Sequence, residues 1–356
     1  MKLFPAHPRK ILIRSTNWIG DAIMTTPAVR TIRANFPDAE ITMLALPWVS
    51  DVFRSCPDVD HIFLYEKNGR HHGIKGKMQL AFDLKKENYD AAILLQNAFE
   101  ATFITRLARI PVRGGYTTDG RGVLLTHGVK KHPYIGTKHQ VHYYQEMLQG
   151  LGLKPGSDTL ELFLSDEAKS EAREFLAKKA GLGKGRAAAV GFNPGASYGP
   201  AKQWPFDKFG RLAAQLCRQT NAVILIFGTN ADHEAARKIM EAVPESDRMI
   251  DLTGKTNLAG AMALIGGCNV FVTNDSGLMH VAAALHTPTV AIFGSTDHIA
   301  TGPYSDNATV IRKPLPCSPC KKTHCPEKHF NCMQQIQVQE VLTSVQDHLQ
   351  RMMDNE

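Results

Sequence analysis

Short apolar runs rich in β-branched residues alternate with helical patterns along almost the whole chain. In the first half the predicted strands are KILIR, AEITMLAL, HIFLY and DAAILL, and a helical pattern runs from Thr25 to Asn35. The second half repeats the scheme with AAAVGF, AVILIFG, VFVTN and PTVAIFG, separated by helical segments such as DKFGRLAAQLCRQ and GLMHVAAAL. Strands that alternate with helices are typical of parallel sheets with crossover helices. The sequence therefore predicts an α/β fold with two Rossmann-like domains.

The 356-residue chain is long enough for two domains of ordinary size. We predict a first domain at 1–165 and a second at 187–335. The charged segment 166–186, which ends in a stretch rich in Gly and Lys, is predicted to link them. Residues 336–356 are expected to form a helix that packs back toward the first domain. Ligands of such sheets bind at the carboxyl ends of strands, so we expect two parallel sheets that face a central cleft, with one substrate on each domain.

Charge is unevenly distributed along the chain. Residues 1–165 contain 21 Lys and Arg against 15 Asp and Glu, whereas residues 166–356 contain 20 against 19. A basic first half indicates an anionic partner, such as nucleic acid, a membrane surface or a phosphorylated substrate, although a merely solvated surface explains the same imbalance. The longest candidate membrane segment, AMALIGGCNVFV, has 12 residues, and a spanning helix needs roughly 20. We expect a cytoplasmic protein without a signal peptide.

Four of the seven cysteines lie close together near the C-terminus. Their spacing, C-x2-C-x4-C-x6-C, begins like a zinc site but as a whole matches no standard zinc pattern. In a reducing compartment such a cluster favours a metal site over disulfides. Two interpretations stay open: a structural metal at Cys317, Cys320, Cys325 and Cys332, or locally packed, reduced thiols.

The segment VFVTNDSGLMHVAAAL, residues 270–285, predicts a strand followed by a helix that opens after Asp275, Ser276 and Gly277. Backbone N–H groups and a serine hydroxyl at such a helix start form an anion site, and Gly277 lets a phosphate approach the backbone closely. His280 follows one turn later on the same face. Taken alone, the motif fits a phosphate site and an ordinary Asp cap on a core helix equally well.

Two further strand-to-helix turns in the second half carry charged side chains. In FNPGASYGPAKQWPFDKF, Lys202 lies in a loop just before a helix that starts near Pro205. A lysine beside backbone donors neutralises a diphosphate leaving group as a point charge, although a surface lysine would give the same pattern. In IFGTNADHEAARKI, Glu234 lies in the first helical turn, where an acid accepts hydrogen bonds from ribose hydroxyls. Thr229 or Asp232 is expected to cap this helix.

The first half offers one acid in a comparable position. In STNWIGDAIMTTPAVR, Asp21 follows a glycine between a strand and a helix, where it either caps the helix or takes up a proton during chemistry. The loop EKNGRHHGIKGK, residues 66–77, carries four Lys and Arg against one Glu, and either grips an anionic acceptor or is merely solvated. Because the three turns of the second half point to a nucleotide diphosphate and supply no obvious base, we favour the base role for Asp21.

Four motifs carry a family resemblance: NWIGDAIMTTPAVR, NPGASYGPAKQWP, FGTNADHEA and TNDSGLMHVAAALHTPTVAIFG. With these motifs in this order, the chain resembles the bacterial ADP-heptose:lipopolysaccharide heptosyltransferases of the GT-B glycosyltransferase family 9, and most resembles the heptosyltransferase II type. The resemblance covers nearly the whole chain. It implies an inverting transfer of L-glycero-D-manno-heptose from ADP-heptose to the heptosyl-Kdo2-lipid A inner core of lipopolysaccharide, with no metal or other cofactor in the chemistry.

The resemblance also implies roles for individual residues. Asp21 matches the proposed general base, Lys202 a lysine on the donor diphosphate and Glu234 the acid on the ribose. Donor binding is further expected at the residues of the second domain's turns, Ser197, Asp275, Ser276, Gly277 and His280. Acceptor binding is expected at Asn17, Trp18, Asn97, Arg70 and Lys75. The cysteine-rich segment is missing from the best-known enteric members and is not expected to touch the catalytic motifs.

The implied partners are ADP-heptose and an anionic lipid A–Kdo acceptor, with peripheral contact at the cytoplasmic face of the inner membrane. Heptosyltransferase I or another family 9 transferase is one alternative, because the first-half loops that read the acceptor are not decoded by one sequence. A nucleotide-sugar-binding protein without activity is another, and Asp21 argues against it because a sensor needs no acid there. Nucleic acid is not an expected partner, since the chain lacks aromatic and basic stacking patches or a recognisable binding module.

Overall fold

The computed structural model describes residues 4–5, 7–179, 188–244 and 246–354, in two compact units that divide between Phe163 and Leu164. Each unit contains a six-stranded parallel sheet with helices, which confirms the predicted α/β class. Residues 180–186 of the predicted linker lie outside the described residues. The charged helix of its first part, Asp166–Lys179, belongs to the second unit.

The sheet of the first unit has the strand order β3-β2-β1-β4-β5-β6. Its strands are β1 Lys10–Arg14, β2 Glu40–Ala45, β3 His61–Leu64, β4 Ala91–Leu94, β5 Val112–Tyr116 and β6 His127–Val129. Its α-helices are α1 Ile19–Met24, α2 Thr26–Asn35, α3 Pro47–Arg54, α4 Gly73–Lys86, α5 Phe99–Leu107 and α6 Gln140–Gly150.

The sheet of the second unit has the order β12-β11-β10-β7-β8-β9. Its strands are β7 Ala189–Asn193, β8 Val223–Ile226, β9 Met249–Asp251, β10 Val270–Asn274, β11 Thr289–Phe293 and β12 Ala308–Arg312. Its α-helices are α7 Asp166–Lys179, α8 Phe206–Gln219, α9 His233–Met240, α10 Leu258–Gly266, α11 Gly277–Ala284, α12 His298–Thr301, α13 Asn331–Gln334 and α14 Val338–Asp354.

The central strands of both sheets are buried along almost their whole length. Ile11, Leu12 and Ile13 of β1 are fully buried, as is Val272 at the middle of β10. Helices cover both faces of a parallel sheet, so its inner strands read as continuous apolar runs rather than as alternating patterns. All eight predicted strands are found, as β1 to β4, β7, β8, β10 and β11. Burial explains seven of them, and the exception is the partly exposed edge strand β3.

Both sheets reverse their strand order beside their first strand. In the first unit the reversal lies between β1 and β4, and in the second between β7 and β10. The loops that leave the carboxyl ends of these strands diverge to opposite faces, which opens a crevice where open α/β sheets bind ligands. Topology therefore directs attention to the loops after β1 and β4 in one unit, and after β7 and β10 in the other.

Two predicted helices differ in the structure. The pattern from Thr25 to Asn35 forms α2, but a separate six-residue helix, α1, precedes it and carries Asp21. Helix α14 begins at Val338 rather than at 336, and its Val341 and Val345 join the core of the second unit. Its expected packing toward the first domain stays a prediction. The apolar stripe of α14 faces α8 and strands β10 to β12 of its own unit. Among the described residues, none of the helices combines the length and apolarity needed to traverse a bilayer.

Candidate functional site

The loops after β7, β10 and β11 meet at one edge of the second sheet, because these three strands are neighbours. An ion pair lies at their junction. Lys202 Nζ, from the loop after β7, lies 2.6 Å from Asp275 Oδ2, directly after β10. Thr296, after β11, donates its hydroxyl to the same oxygen at 2.6 Å. The side chains of Lys202 and Asp275 are only 14% and 5% exposed, so the pair is largely desolvated.

The start of helix α11 lies next to this pair. Ser276 occupies the N-cap position, but its side chain makes no capping hydrogen bond. Asn193 Nδ2 donates to Ser276 Oγ at 2.5 Å, and Thr273 Oγ1 lies 3.3 Å from it. Gly277, the first helical residue, adds no Cβ. The first backbone N–H groups of a helix need acceptors from outside the helix, and here a side-chain cap does not supply one. This arrangement suits an anion such as a phosphate.

Amide side chains hold the loop that carries Lys202. Asn274, the last residue of β10, donates to the carbonyl of Pro194 at 2.7 Å and accepts from the backbone N–H of Trp204 at 3.0 Å. Trp204 is fully buried, and its indole Nε1 donates to the carbonyl of Ile336. The loop is therefore fixed at both ends. His280 is buried in the second turn of α11, close to the helix start in sequence as expected.

The cysteine-rich segment packs directly against the Lys202 loop. Tyr198 of that loop donates its hydroxyl to the carbonyl of Lys321 at 3.0 Å, and the N–H of Ala201 donates to the carbonyl of Thr323 at 3.1 Å. The N–H of Lys321 in turn donates to the carbonyl of Ser295 in the loop after β11. The expectation that this segment does not touch the catalytic motifs is therefore wrong: it supports two of the three loops at the junction.

The four cysteines of this segment line one small cavity, together with Ala201 and Ser295. Burial raises the pKa of the Cys332 thiol, and the neighbouring thiols of the segment raise it further. Within the part of the chain that the structure describes, no group of three or more His, Cys, Asp or Glu side chains is arranged to hold a metal ion. The geometry thus gives the structural-metal interpretation no support, and all four thiols are free cysteines.

The remaining predicted donor residues lie at the surface. Glu234, in the first turn of α9, forms ion pairs with Arg237 at 2.8 Å and Lys238 at 3.4 Å on its own helix. The hydrogen bond from Arg237 lowers the pKa of Glu234. Thr229 and Asp232 form the expected cap, a reciprocal capping box. Ser197 lies exposed in the turn of the Lys202 loop. These side chains lie in the loops and first helical turns that follow β7 and β8, and they make no described contact with the Lys202–Asp275 pair.

In the first unit, Asp21 lies in the first turn of α1, directly after the loop that leaves β1. The N-cap residue of this helix is Trp18, so Asp21 does not occupy the cap position itself. Burial raises the pKa of Tyr144 on α6, and the Asp21 carboxylate raises it further, which places the two side chains near one another. Asp21 is half-buried at the strand-end edge, where the crevice of the first sheet is expected.

A buried arginine organises the loop that precedes Asp21. Arg14, the last residue of β1, donates to the Asn17 side chain at 2.8 Å and lies 5.5 Å from the centre of the Tyr65 ring. Tyr65 donates its hydroxyl to Glu100 at 2.9 Å, and Lys77 pairs with the same carboxylate at 2.5 Å. Burial lowers the pKa of Arg14 to about 10, so it stays protonated at neutral pH. The network connects the carboxyl ends of β1 and β3 to the start of α5.

A second buried arginine lies behind the carboxyl end of β4. Arg121 donates to Asn97 Oδ1 at 3.1 Å and to the carbonyl of Tyr116 at 2.7 Å. Asn97 in turn donates to the Tyr143 hydroxyl at 2.7 Å. Burial lowers the pKa of Arg121 to about 10. Neither Arg14 nor Arg121 was singled out from the sequence, since an arginine in or beside an apolar run gives no sign of where its head group lies.

The predicted acceptor residues divide into two groups. Asn17 and Asn97 follow the adjacent strands β1 and β4, and Trp18 lies exposed beside Asn17. Arg70 and Lys75 belong to the turn after β3 and to α4. Arg70 pairs with Asp83 at 2.7 Å. Only the first group is brought together at the reversal of strand order.

Comparisons with known proteins agree with these features. The profile of glycosyltransferase family 9 (heptosyltransferase) matches residues 78–331. Lipooligosaccharide heptosyltransferase 2 of Haemophilus influenzae is 34% identical over 313 residues, 85% of this chain and 88% of that protein. The chain belongs to glycosyltransferase family 9. Lipopolysaccharide heptosyltransferase 2 of Escherichia coli is 31% identical over 338 residues, 94% of this chain and 96% of that protein.

A solved structure of the same family extends the agreement to the fold. The structure of E. coli ADP-heptose lipopolysaccharide heptosyltransferase II is similar to this chain with a TM-score of 0.80 at 30% identity, over 96% of this chain and 99% of that one. The GT-B fold and the glycosyltransferase class, both expected from the resemblance, are thereby confirmed. The family 9 profile includes the Lys202 loop and α11, whereas Asp21 precedes the matched range.

Proposed function

We propose that this family 9 chain is a heptosyltransferase II, which moves L-glycero-D-manno-heptose from ADP-heptose to the heptosyl-Kdo2-lipid A inner core. Relatives named heptosyltransferase 2 match most of both chains, which supports this acceptor over that of heptosyltransferase I. The observation that carries the donor half is the buried Lys202–Asp275 pair beside the uncapped start of α11.

The donor diphosphate is proposed to bind between Lys202 and the first N–H groups of α11. Bond cleavage leaves additional negative charge on the departing ADP, and a fixed cation with backbone donors stabilises it most where water is excluded. Asp275 holds the Lys202 ammonium group at the junction. When the donor binds, the ammonium group also interacts with the diphosphate. Ser276 and Gly277 leave the helix start open. No metal is needed for this step, because Lys202 supplies the positive charge.

The ribose is proposed to lie by α9, at the carboxyl end of β8. For Glu234 to accept hydrogen bonds from ribose hydroxyls, the ribose must replace its present contacts with Arg237 and Lys238. That exchange costs little, because both ion pairs are exposed to solvent and contribute little to stability.

Asp21 is proposed to act as the general base. An acceptor hydroxyl oxygen attacks the anomeric carbon of heptose, the bond from that carbon to the diphosphate oxygen breaks with inversion, and the hydroxyl proton passes to the Asp21 carboxylate. General bases of this kind contribute about 10²–10⁴-fold to rate. Asn17 and Asn97 offer amide groups to acceptor hydroxyls at the same strand ends.

The acceptor carries Kdo carboxylates and lipid A phosphates, which suits the excess of Lys and Arg in residues 1–165. Because lipid A is anchored in a bilayer, we propose that the protein works in peripheral contact with the cytoplasmic face of the inner membrane. Nucleic acid is not a proposed partner.

The test of the acceptor is a transfer assay with ADP-heptose and two defined acceptors, Kdo2-lipid A with and without the first heptose. We expect product only from the heptosylated acceptor. Product only from the bare acceptor would instead identify a heptosyltransferase I. ADP-heptose binding without transfer to either acceptor would favour a nucleotide-sugar-binding protein.

The test of the base is Asp21→Asn, with Asp51→Asn on α3 as a matched acidic control, since Asp51 pairs with Arg54 at 3.1 Å on its own helix. Asp21→Asn should reduce turnover at least about 10²-fold while calorimetry shows nearly unchanged ADP-heptose affinity. Asp51→Asn should behave like the wild type. Wild-type turnover in Asp21→Asn would disprove the base role.

A further inference from the structure

Helices α4 and α5 of the first unit each expose a stripe of large apolar side chains. On α4, Ile74, Met78 and Phe82 recur every four residues and are 79%, 59% and 55% exposed. On α5 the same spacing recurs in Phe99, Phe103 and Leu107, which are all exposed. The rings of Phe99 and Phe103 stack with centroids 6.3 Å apart. We refer to these six side chains as the α4–α5 apolar face.

The core of the unit does not account for this face. Leu80 and Leu84 of α4 and Ile104 of α5 are buried and supply the packing onto the sheet. The two helices also pack against each other, so the stripes lie on one layer of the fold. Six of the thirteen exposed large hydrophobic side chains in the described chain belong to it. Single exposed apolar residues are ordinary, whereas a cluster of them marks an interaction site.

Basic side chains border the face. Lys85 and Lys86 end α4, and Arg106 lies in the last turn of α5. Lys86 Nζ lies 4.4 Å from the centre of the Phe82 ring, so the cation and the apolar stripe are in contact. Residues 66–109 contain eight Lys and Arg against five Asp and Glu. Apolar side chains ringed by lysine are the composition of helices that rest on anionic lipid surfaces.

Two of the five acids of the same region, Asp83 and Glu100, pair with basic side chains of that region. Asp83 pairs with Arg70 at 2.7 Å and with Lys86 at 3.3 Å. Glu100 pairs with Lys77 at 2.5 Å. These pairs reduce the repulsion that carboxylates would otherwise create toward an anionic surface. A positive, apolar surface therefore remains along the two helices.

The face also begins at the strand-end edge of the sheet. Ile74 and Phe99 lie in the first turns of α4 and α5, which follow the carboxyl ends of β3 and β4. The Lys77–Glu100 pair joins the starts of the two helices, and the Tyr65 hydroxyl ties Glu100 to the network of Arg14. The apolar face thus starts beside the loops proposed to hold the acceptor.

We propose that the α4–α5 apolar face is the surface by which this protein docks on an anionic phospholipid bilayer. The apolar side chains enter the boundary between head groups and acyl chains, and Lys85, Lys86 and Arg106 contact lipid phosphates. Docking there presents a lipid-anchored acceptor to the loops after β1 and β4. The consequence for acceptor delivery rests on the proposed function, whereas the binding of lipid does not.

The test is co-sedimentation with vesicles of phosphatidylethanolamine and phosphatidylglycerol, compared with vesicles of phosphatidylcholine alone. We expect the wild type to bind the anionic vesicles and to dissociate as salt is raised. The triple variant Ile74→Ser, Met78→Ser, Phe82→Ser should lose at least about tenfold in partition coefficient, since each side chain withdraws apolar area from the lipid. Ile299→Ser, an exposed isoleucine of the second unit, is the matched control and should bind like the wild type.

A second variant tests the charges separately. Lys85→Gln with Lys86→Gln should bind the anionic vesicles more weakly and with a smaller dependence on salt. Lys169→Gln with Lys178→Gln, on helix α7 of the second unit, is its control and should leave binding unchanged. Thermal melts of all variants verify that each is folded.

Three outcomes would overturn the proposal: a wild type that ignores anionic vesicles, a folded triple variant that binds them like the wild type, or a triple variant that turns a wild-type dimer into a monomer. The last would assign the face to a second copy of the chain.

Transfer to a deacylated, water-soluble acceptor separates this proposal from the proposed function. The triple variant should transfer to it like the wild type and lose rate only with acceptor embedded in vesicles. Loss of transfer to both acceptors would count against docking, and absence of transfer by the wild type would count against the proposed function alone.

Discussion

Replacing Lys202 by methionine should destabilise the second unit substantially, although it removes only one charged group. Methionine keeps most of the apolar stem but leaves Asp275 buried without its cation. The Asp275 side chain is only 5% exposed, so water cannot take over the role of Lys202 Nζ, which lies 2.6 Å from Oδ2. The Thr296 hydroxyl still donates to that oxygen.

The expected loss follows from the burial of this pair. Removing one partner of a buried ion pair costs about 3–5 kcal/mol, because the other charge stays buried and unpaired. The bond from Thr296 offsets part of that cost, which favours a value of about 3 kcal/mol. For a domain the size of the second unit, each kcal/mol lowers Tm by about 2–4 °C, so we expect a decrease of about 6–12 °C.

The assay is a thermal melt of three variants. Lys202→Met combined with Asp275→Asn should recover the unfolding free energy to within about 1 kcal/mol of the wild type, because no buried charge is left unpaired. Lys238→Met is the control, since its ion pair with Glu234 is exposed to solvent and its loss should leave Tm nearly unchanged. A Lys202→Met variant as stable as the wild type would refute the reasoning, and so would a double variant no more stable than Lys202→Met.

Three further predictions concern other parts of the molecule. Burial lowers the pKa of His348 below the value of about 6.5 that histidine has in the unfolded chain, so the unfolded state takes up a proton first as pH falls. The unfolding free energy should therefore decrease as pH drops from 7.5 to 5.5. In urea unfolding, His348→Gln should show a smaller decrease over this range than the wild type. Tyr65→Phe removes the hydrogen bond to Glu100 and should cost about 2 kcal/mol in urea unfolding; no measurable loss would contradict that contact. Tyr198→Phe removes the bond to Lys321 and, at a half-exposed site, should change stability by no more than about 0.5 kcal/mol, while kcat/KM for the donor falls; unchanged kinetics would show that the cysteine-rich segment does not position the loop.

The strands that the sequence predicts and those that it misses differ in burial and composition. Seven of the eight predicted strands are apolar runs that are almost entirely buried, whereas β3 is an edge strand with exposed ends and half-buried middle residues. Strand β5, VRGGY, contains two glycines, which weaken any strand pattern, yet Leu151 lies so close that a Cβ on Gly114 would meet its side chain at 2.9 Å. Strand β9 has only three residues, and β12 is a partly exposed edge strand. Whether these segments form strands depends on packing partners that are distant in the sequence.

The candidate site shows the same division between local and distant information. The turn after β10 and the loop with Lys202 were found because a strand, a small-residue turn and a helix follow one another in sequence. Thr296 and Asn274 were missed, because their roles depend on which strands are neighbours: each hydrogen-bonds a residue at least 21 positions away. A polar residue at the last position of an apolar strand, such as Asn274, is the one local signal that would have drawn attention to it.

The cysteine-rich segment contributes contacts that its cysteine spacing does not predict. Its spacing suggested a metal site, but the contacts that the structure describes are backbone and hydroxyl hydrogen bonds to Tyr198, Ala201 and Ser295. Those contacts depend on the path of the backbone rather than on thiol chemistry. A segment that touches two loops of the donor junction is therefore expected to affect donor binding through loop position.

The two interpretations of Asp21 can now be separated by magnitude. An acid in the first turn of a helix stabilises it by about 0.3–1 kcal/mol through the helix dipole, and α1 has only six residues to benefit. The dipole stabilisation that Asp21→Asn removes is therefore no more than about 1 kcal/mol, which by itself leaves nearly all molecules folded. A base role requires instead that turnover falls at least about 10²-fold. Because a loss of 1 kcal/mol in stability cannot produce such a decrease in a folded protein, measuring both quantities on one preparation of Asp21→Asn decides between a carboxylate that only stabilises α1 and a general base.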